Sequence, residues 1–404
     1  MQHFSVLGCE IAGYILVGRL IVKYLRGGGR DFLFAILNLA ALNRLFFADA
    51  VNKNDPHPLP TFLAYLGLAV VCYAALRLWG QRTDRLAGLA FFTPIGWLLL
   101  IRYVPPSTYA GPGMPYGPYF IGISYLAFRC SYLVVEVRNG IPRPGFFRYL
   151  GYCFFVPTMA VGPINPCQQY NRGFADAAPD LPVGRAALRI LVGLFKYKFL
   201  GSLLFQLTYS SLLRDDHYHP WMDLPVAMVF YYLYLYCNFS GFCDMAIGAA
   251  ALIGIPVAEN FDNPLLARNM RDFWNRWHIT LSQYMRDVVF APLSKTLVRA
   301  FGPARANHAI ALTIIVVFLL IGIWHGVGWN YAAFGLAQAL GVVTVHYYTL
   351  FLKRQLGRDG FKAYHENPWI HAAAVTLTFA YCAASLLLFA NTLPQIRQIF
   401  ASLQ

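Results

Sequence analysis

Two histidines, His278 and His325, carry the side chains best suited to chemistry in this chain of 404 residues. An imidazole exchanges its proton near neutral pH, so each could act as a general base or as one link of a proton relay. His278 lies in RDFWNRWHITLSQYMRD (271–287), where charge and tryptophan crowd together in a sequence only 12% charged and 58% hydrophobic. On helical spacing Trp274, Trp277, His278, Leu281, Tyr284, Met285 and Val288 share one face, and Asp272, Asn275, Arg276, Gln283, Arg286 and Asp287 share the other. That periodicity predicts one continuous amphipathic helix. By itself it fits an interfacial helix whose histidine merely satisfies the core.

His325 closes an apolar run in LLIGIWHGVGWN (319–330) that begins near Ile310. Fifteen helical residues carry it about 22 Å along the axis. An ionisable group at such depth needs protein or water around it, because lipid penalises it by about 3 kcal/mol. Gly322, Gly326 and Gly328 remove side chains nearby, either to admit a substrate or to let helices pack closely while the histidine donates to a carbonyl. Asp244, in NFSGFCDMAIG (238–248), is an isolated acid in apolar surroundings, and an internally hydrogen-bonded group is the simpler reading of it. The chain has no GxSxG, HExxH or GxxxxGK[ST] segment and no paired acids within a span. Its eight cysteines form no CxxC pair and mostly lie in apolar runs, so they imply neither a disulfide framework nor a metal site.

Tyr, Phe and Trp make up 16% of the chain and mean hydropathy is +0.49, more apolar surface than one soluble globule can hide. The fold class expected is therefore an all-α polytopic membrane protein. Apolar runs at about 4–25, 31–47, 61–79, 86–104, 116–137, 149–165, 186–209, 222–238, 240–257, 309–327, 329–352 and 369–390 suggest roughly 11–12 hydrophobic helices. The net charge of +14 fits basic loops on a cytoplasmic membrane face better than nucleic acid. Basic loops at 26–30, 77–85 and 138–148 alternate with near-neutral ones at 52–60 and 105–118, which predicts an extracytoplasmic N-terminus. The alternation fails at 214–223, so one segment between 149 and 209 is expected not to cross fully. Residues 268–305 are basic and only intermittently apolar, which marks about 238–330 as the working region of a single domain spanning 1–404.

Four blocks together resemble the membrane-bound O-acyltransferase family, in its bacterial branch that modifies cell-envelope polymers. They are GISYLAFR (122–129), NFSGFCDMAIG (238–248), ENFDNPLLARNMRDFWNRWHITLSQYMRD (259–287) and IGIWHGVGWN (321–330). The likeness runs from about residue 116 onward, and FFVPTMAVGPI (154–164) joins it. FWNRWH with PTMAVGPI is closer to the members of the teichoic acid pathway that move D-alanine than to those that acetylate alginate. Three departures stand out. Ala291-Pro292-Leu293-Ser294 replaces an LGG tripeptide, Gln338 replaces a later histidine, and LLLFANTL (386–393) lacks an arginine.

The resemblance implies a helical core with a funnel or tunnel, His325 as the catalytic histidine at its base and His278 as a second one. It implies no bound cofactor but an acyl thioester donor, either acyl-carrier-protein phosphopantetheine or acyl-CoA, arriving from the cytoplasm. The acceptor would be a hydroxyl of an extracytoplasmic polymer or of an esterase-like relay protein, and the location a bacterial inner membrane. Trp324, Trp277, Arg276, Asn275 and Asp244 are the residues expected to contact substrate. Arg276, Arg286 and Arg268 could attract a donor phosphate or acidic carrier, or equally anchor the chain to anionic lipid. The competing class is a proton-coupled transporter using the two histidines as relay groups, and a third is a non-catalytic scaffold.

Overall fold

Within a bilayer, backbone N–H and C=O groups find no water, so long apolar runs satisfy them internally as helices. The structure, a computed structural model, describes residues 2–48, 58–81, 86–104, 122–175, 182–209 and 219–401. Among these, five helical stretches are long and apolar enough to cross a membrane: Leu59–Trp79, Trp221–Ile253, Pro303–His325, Trp329–Glu366 and Pro368–Ala390. The chain is thus an all-α polytopic membrane protein, and among the described residues Phe261 and Trp277 form an isolated β-bridge. Residues 52–57, 82–85, 105–118 and 214–218, on which part of the charge alternation rests, lie outside the described residues.

The chain separates into two compact units, residues 1–193 with 242–258, and residues 194–241 with 259–404. The first holds α1 (Gln2–Tyr24), α2 (Gly27–Leu42), α3 (Pro58–Trp79), α4 (Ala87–Tyr103), α5 (Ile123–Arg138), α6 (Phe146–Cys153), α7 (Cys167–Arg172) and α8 (Val183–Leu194) to its next-to-last residue. The run expected at 149–165 is not a span: helix ends at Cys153, and a 3-10 turn (Val156–Thr158) and irregular chain follow. The runs at 222–238 and 240–257 are a single helix, α9 (Pro220–Ile253), which supplies residues to both units.

The first unit packs around aromatic side chains, with Tyr65, Tyr149, Tyr152, Phe154, Phe155 and Tyr170 all buried. Into this apolar mass the sequence places Arg129, on α5 and 1% exposed. Its guanidinium donates to the carbonyls of Cys153 (2.9 Å) and Tyr152 (3.3 Å) and to both oxygens of Thr158. A helix leaves its last carbonyls without intrahelical donors, and Arg129 satisfies those at the end of α6. Glu136, two turns further along α5, accepts from the backbone N–H groups of Cys167 (2.8 Å) and Gln168 (2.9 Å) at the start of α7. GISYLAFR therefore fixes the shape of FFVPTMAVGPI, and Gly122, at φ +73°, lets α5 begin where any Cβ would strike the Met159 carbonyl at 2.3 Å.

The second unit holds α10 (Met270–Arg276), α11 (Ile279–Met285), α12 (Ala291–Phe301), α13 (Ala306–His325), α14 (Trp329–Glu366), α15 (Pro368–Ala390) and α16 (Leu393–Ala401). α13 and α14 touch backbone to backbone: a Cβ on Gly322 would meet the Tyr331 carbonyl at 2.3 Å, and one on Gly335 the Phe318 carbonyl at 2.4 Å. The continuous helix expected over 271–287 is instead two short helices. The break falls at Trp277–His278, and His278 adopts φ 45° and ψ 51°.

Candidate active site

The break that seats His278 is built by a segment 18 residues earlier. The Asp262 N–H donates to the Arg276 carbonyl (2.9 Å) and the Ile279 N–H to the Asn260 carbonyl (3.0 Å), so residues 260–262 supply partners that the interrupted helix gives up. The Asn260 side chain completes the arrangement. Its Oδ1 accepts from the Thr280 N–H (3.2 Å) and the Thr280 hydroxyl (2.9 Å) and lies 3.1 Å from His278 Nδ1. A backbone N–H can only donate, so the atom facing Thr280 is the oxygen. His278 must therefore donate from Nδ1, and its Nε2 carries the ring's lone pair. His278 lies outside the five spans, and burial pushes its imidazole down to about 3, with a smaller push from His325. It is a neutral base of fixed tautomer at pH 7. The left-handed backbone at a non-glycine residue adds about 1–3 kcal/mol of strain, which the Asn260 network holds in place.

This geometry yields a prediction. Asn260→Leu leaves His278 Nδ1 and the Thr280 donors without their acceptor, which is expected to lower stability by about 1–3 kcal/mol per orphaned group and to impair any chemistry that uses His278. Asn260→Asp keeps an oxygen for the same donors and should retain more of both. Thermal unfolding and catalytic rate measured on the pair check it. Equal losses in the two variants would contradict the assigned tautomer.

His325 is the last residue of α13 and half-buried. Its ring meets Phe389 edge-on at 4.9 Å and Trp324 at 4.5 Å. The glycines after it lie close against side chains: a Cβ at Gly326 would strike the Tyr331 ring at 2.1 Å, and one at Gly328 the Asn330 Oδ1 at 2.2 Å.

The two histidines line one cavity of about 80 Å³. Phe239 stands edge-on to His278 at 4.8 Å, and Trp277, Phe273 and Tyr232 extend that aromatic wall. The polar part of the lining is a chain in which Trp274 Nε1–H donates to Gln338 Oε1 (3.2 Å), Gln338 Nε2 to Ser385 Oγ (2.7 Å) and Ser385 to the Cys382 carbonyl (2.8 Å). Such an enclosure can hold a small polar group next to two imidazoles with little bulk water. Among the described residues no three of His, Cys, Asp and Glu cluster as metal ligands.

Of the expected site residues, His278, His325 and Trp277 come together here. Trp324 packs on His325 but is not in the lining. Asn275 is exposed, and Arg276 is held on Asp272 (2.8 Å) with Asp262 at 3.8 Å. Asp244 belongs to the first unit, where it pairs with Arg189 at 3.0 Å. Asn260 lies in the 259–287 block and Phe389 in LLLFANTL (386–393), but neither they nor Ser385 stand out singly as site residues in the sequence. Gln338 was visible as a departure from the family pattern, and that departure falls in the cavity wall.

The spans define a multi-pass membrane protein, and among the helices of its second unit the two histidines share one small cavity. A profile of the membrane-bound O-acyltransferase family matches residues 130–385, a range containing every residue of the chamber but Leu386 and Phe389. The chain is 31% identical over 288 residues to the teichoic acid D-alanyltransferase of Streptococcus thermophilus, covering 68% of this chain and 69% of that protein. It is 32% identical over 219 residues to the peptidoglycan O-acetyltransferase of Helicobacter pylori (51% and 39%) and 28% over 219 residues to the probable alginate O-acetylase of Azotobacter vinelandii (53% and 42%). The chain belongs to the membrane-bound O-acyltransferase family, and it is an acyltransferase.

Proposed function

We propose that this enzyme moves a short acyl group, D-alanyl or acetyl, from a thioester to a hydroxyl of an extracytoplasmic envelope polymer or of a relay protein. The observation that carries the reading is the convergence of His278 and His325 on one small chamber. In the proposed step His325 takes the acceptor's hydroxyl proton as its oxygen attacks the thioester carbonyl. The C–S bond then breaks, and the departing thiolate recovers the proton as a thiol. A positioned base of this kind contributes a factor of about 100 to 10,000. The end of α13 suits it, since the partial negative charge at a helix C-terminus favours the imidazolium formed during attack. His278, held neutral, can orient the donor or steady the developing charge. A chamber of about 80 Å³ favours a short acyl group over a long chain.

The relatives act on envelope polymers by name, teichoic acid, peptidoglycan and alginate, which supports an acceptor outside the cytoplasm and a bacterial inner membrane as the location. The net charge of +14 suits an acidic carrier protein bearing the donor on phosphopantetheine, with coenzyme A as the other donor form. On the positive-inside pattern the N-terminus lies outside and Arg286 faces the cytoplasm. The test is the purified protein in liposomes, given D-alanyl and acetyl thioesters on carrier protein and on coenzyme A with an external hydroxyl acceptor. Thioester-dependent acylation of the acceptor is expected. Passage of solute without any acyl transfer would favour a transporter instead.

A further inference from the structure

A second cavity in the second unit, about 800 Å³, is ten times the chamber's volume and contains neither histidine of the chamber. It is a groove between α14 and α15, and the α14 side of it runs from Leu340 to Leu352, twelve helical steps or about 18 Å. One leaflet of a bilayer's hydrocarbon core is about 15 Å deep. The two lengths agree.

The walls are apolar in effect even where they carry hydroxyls. Thr349 donates to the Val345 carbonyl (2.7 Å), Thr378 to the Ala374 carbonyl (2.7 Å) and Tyr381 to the Ala337 carbonyl, while the Tyr348 and Tyr364 hydroxyls bond each other at 3.1 Å. An occupant with amides along its length, such as a pantetheine arm, would find few partners there. A hydrocarbon chain needs none.

Part of the lining differs. At Gly357, φ 62°, α14 turns, and Tyr364 and His365 of the arm beyond it line the groove, as does His371 of α15. Arg268, just before α10, also lines the groove, and α10 lies along α14, with Trp274 bonded to Gln338 and Arg271 3.5 Å from His346. Arg268 is exposed and has no ion-pair partner among the described residues. The neighbouring acids are engaged, Asp272 with Arg276 at 2.8 Å and Glu366 with Lys362 at 3.8 Å. A guanidinium and two imidazoles therefore belong to the lining of a leaflet-length, otherwise apolar groove.

We propose that this groove holds an anionic glycerophospholipid of the surrounding bilayer, with one acyl chain lying between α14 and α15 and its phosphate at Arg268 and His371. The site is coupled to the chamber through one thin wall. Met270 lines the groove, its Sδ lies 3.7 Å from Cys382 Sγ, and Cys382 lines the chamber.

Lipid-stripped full-length protein in neutral detergent tests the proposal by native mass spectrometry and thermal unfolding, titrated separately with phosphatidylglycerol, phosphatidylcholine and inorganic phosphate. Phosphatidylglycerol is expected to be retained and to raise the unfolding temperature, with phosphatidylcholine weaker and inorganic phosphate without effect. Arg268→Gln should weaken phosphatidylglycerol by about fivefold, the share of one basic residue at a lipid headgroup, and leave phosphatidylcholine unchanged. Thr344→Trp, which fills the groove, should abolish retention of both. Equal retention of the two lipids, indifference to Arg268→Gln, or displacement of the lipid by a phosphopantetheine thioester would each overturn the proposal. None of these outcomes depends on whether acyl transfer is observed, so it fails or stands apart from the proposed reaction.

Discussion

His325→Gln is expected to lower acyl transfer by about 100- to 10,000-fold while the protein inserts in the membrane and unfolds near the parent temperature. Glutamine is polar and of similar reach, so it keeps the packing against Phe389 and Trp324 at the end of α13. It has no lone pair that can take up a proton near pH 7, which isolates the base from its surroundings. A histidine that only satisfied the core would give the reverse pattern, a stability loss of about 1–3 kcal/mol with the rate preserved. Single-turnover transfer alongside thermal unfolding separates the two, and a near-normal rate in His325→Gln removes His325 from the reaction.

The largest loss of stability is expected at Arg129→Met. Methionine fills similar volume but strips donors from the Tyr152 and Cys153 carbonyls and from both oxygens of Thr158 at once. Hydrogen bonds from a charged donor contribute about 1.5–3 kcal/mol each, so a loss of at least about 3 kcal/mol follows even if the site partly relaxes. Arg129→Lys should recover little of it, because one ammonium cannot span the end of α6 and the 3-10 turn together as a planar guanidinium does. Folded yield in the membrane and unfolding temperature measure both variants. An Arg129→Met protein as stable as the parent would mean that water replaces the guanidinium, in a site the structure shows packed with aromatic rings.

What the sequence made legible was whatever a short window can register. Apolar runs announced the helices, and scarcity of charge singled out His278 and His325. The break at Trp277–His278 escaped the same reading for a physical reason: Trp274, Trp277, Leu281 and Tyr284 are buried on both sides of it, so helical periodicity persists where the helix does not. The partners that hold the break, Asn260 above all, act over 14 to 20 residues through single hydrogen bonds, which leave no periodic trace. The same holds for the Trp274, Gln338 and Ser385 chain, drawn from three helices. Arg276 and Asn275 are expected near substrate, and beside the break that turns His278 inward Asn275 is exposed and Arg276 half-buried.

The contact of Gly322 with Gly335 bears on how the chamber can change during turnover. Side chains swap rotamers and slide, but two backbones touching through glycine have no such slack, so α13 and α14 behave as one stiff strut with His325 fixed at its tip. The opposite wall is hinged differently, since His278 hangs from hydrogen bonds to Asn260 with no helix running through it. Room for a bulkier acyl group, or a passage for a departing thiol, would come from residues 259–285 yielding against a histidine that stays where it is.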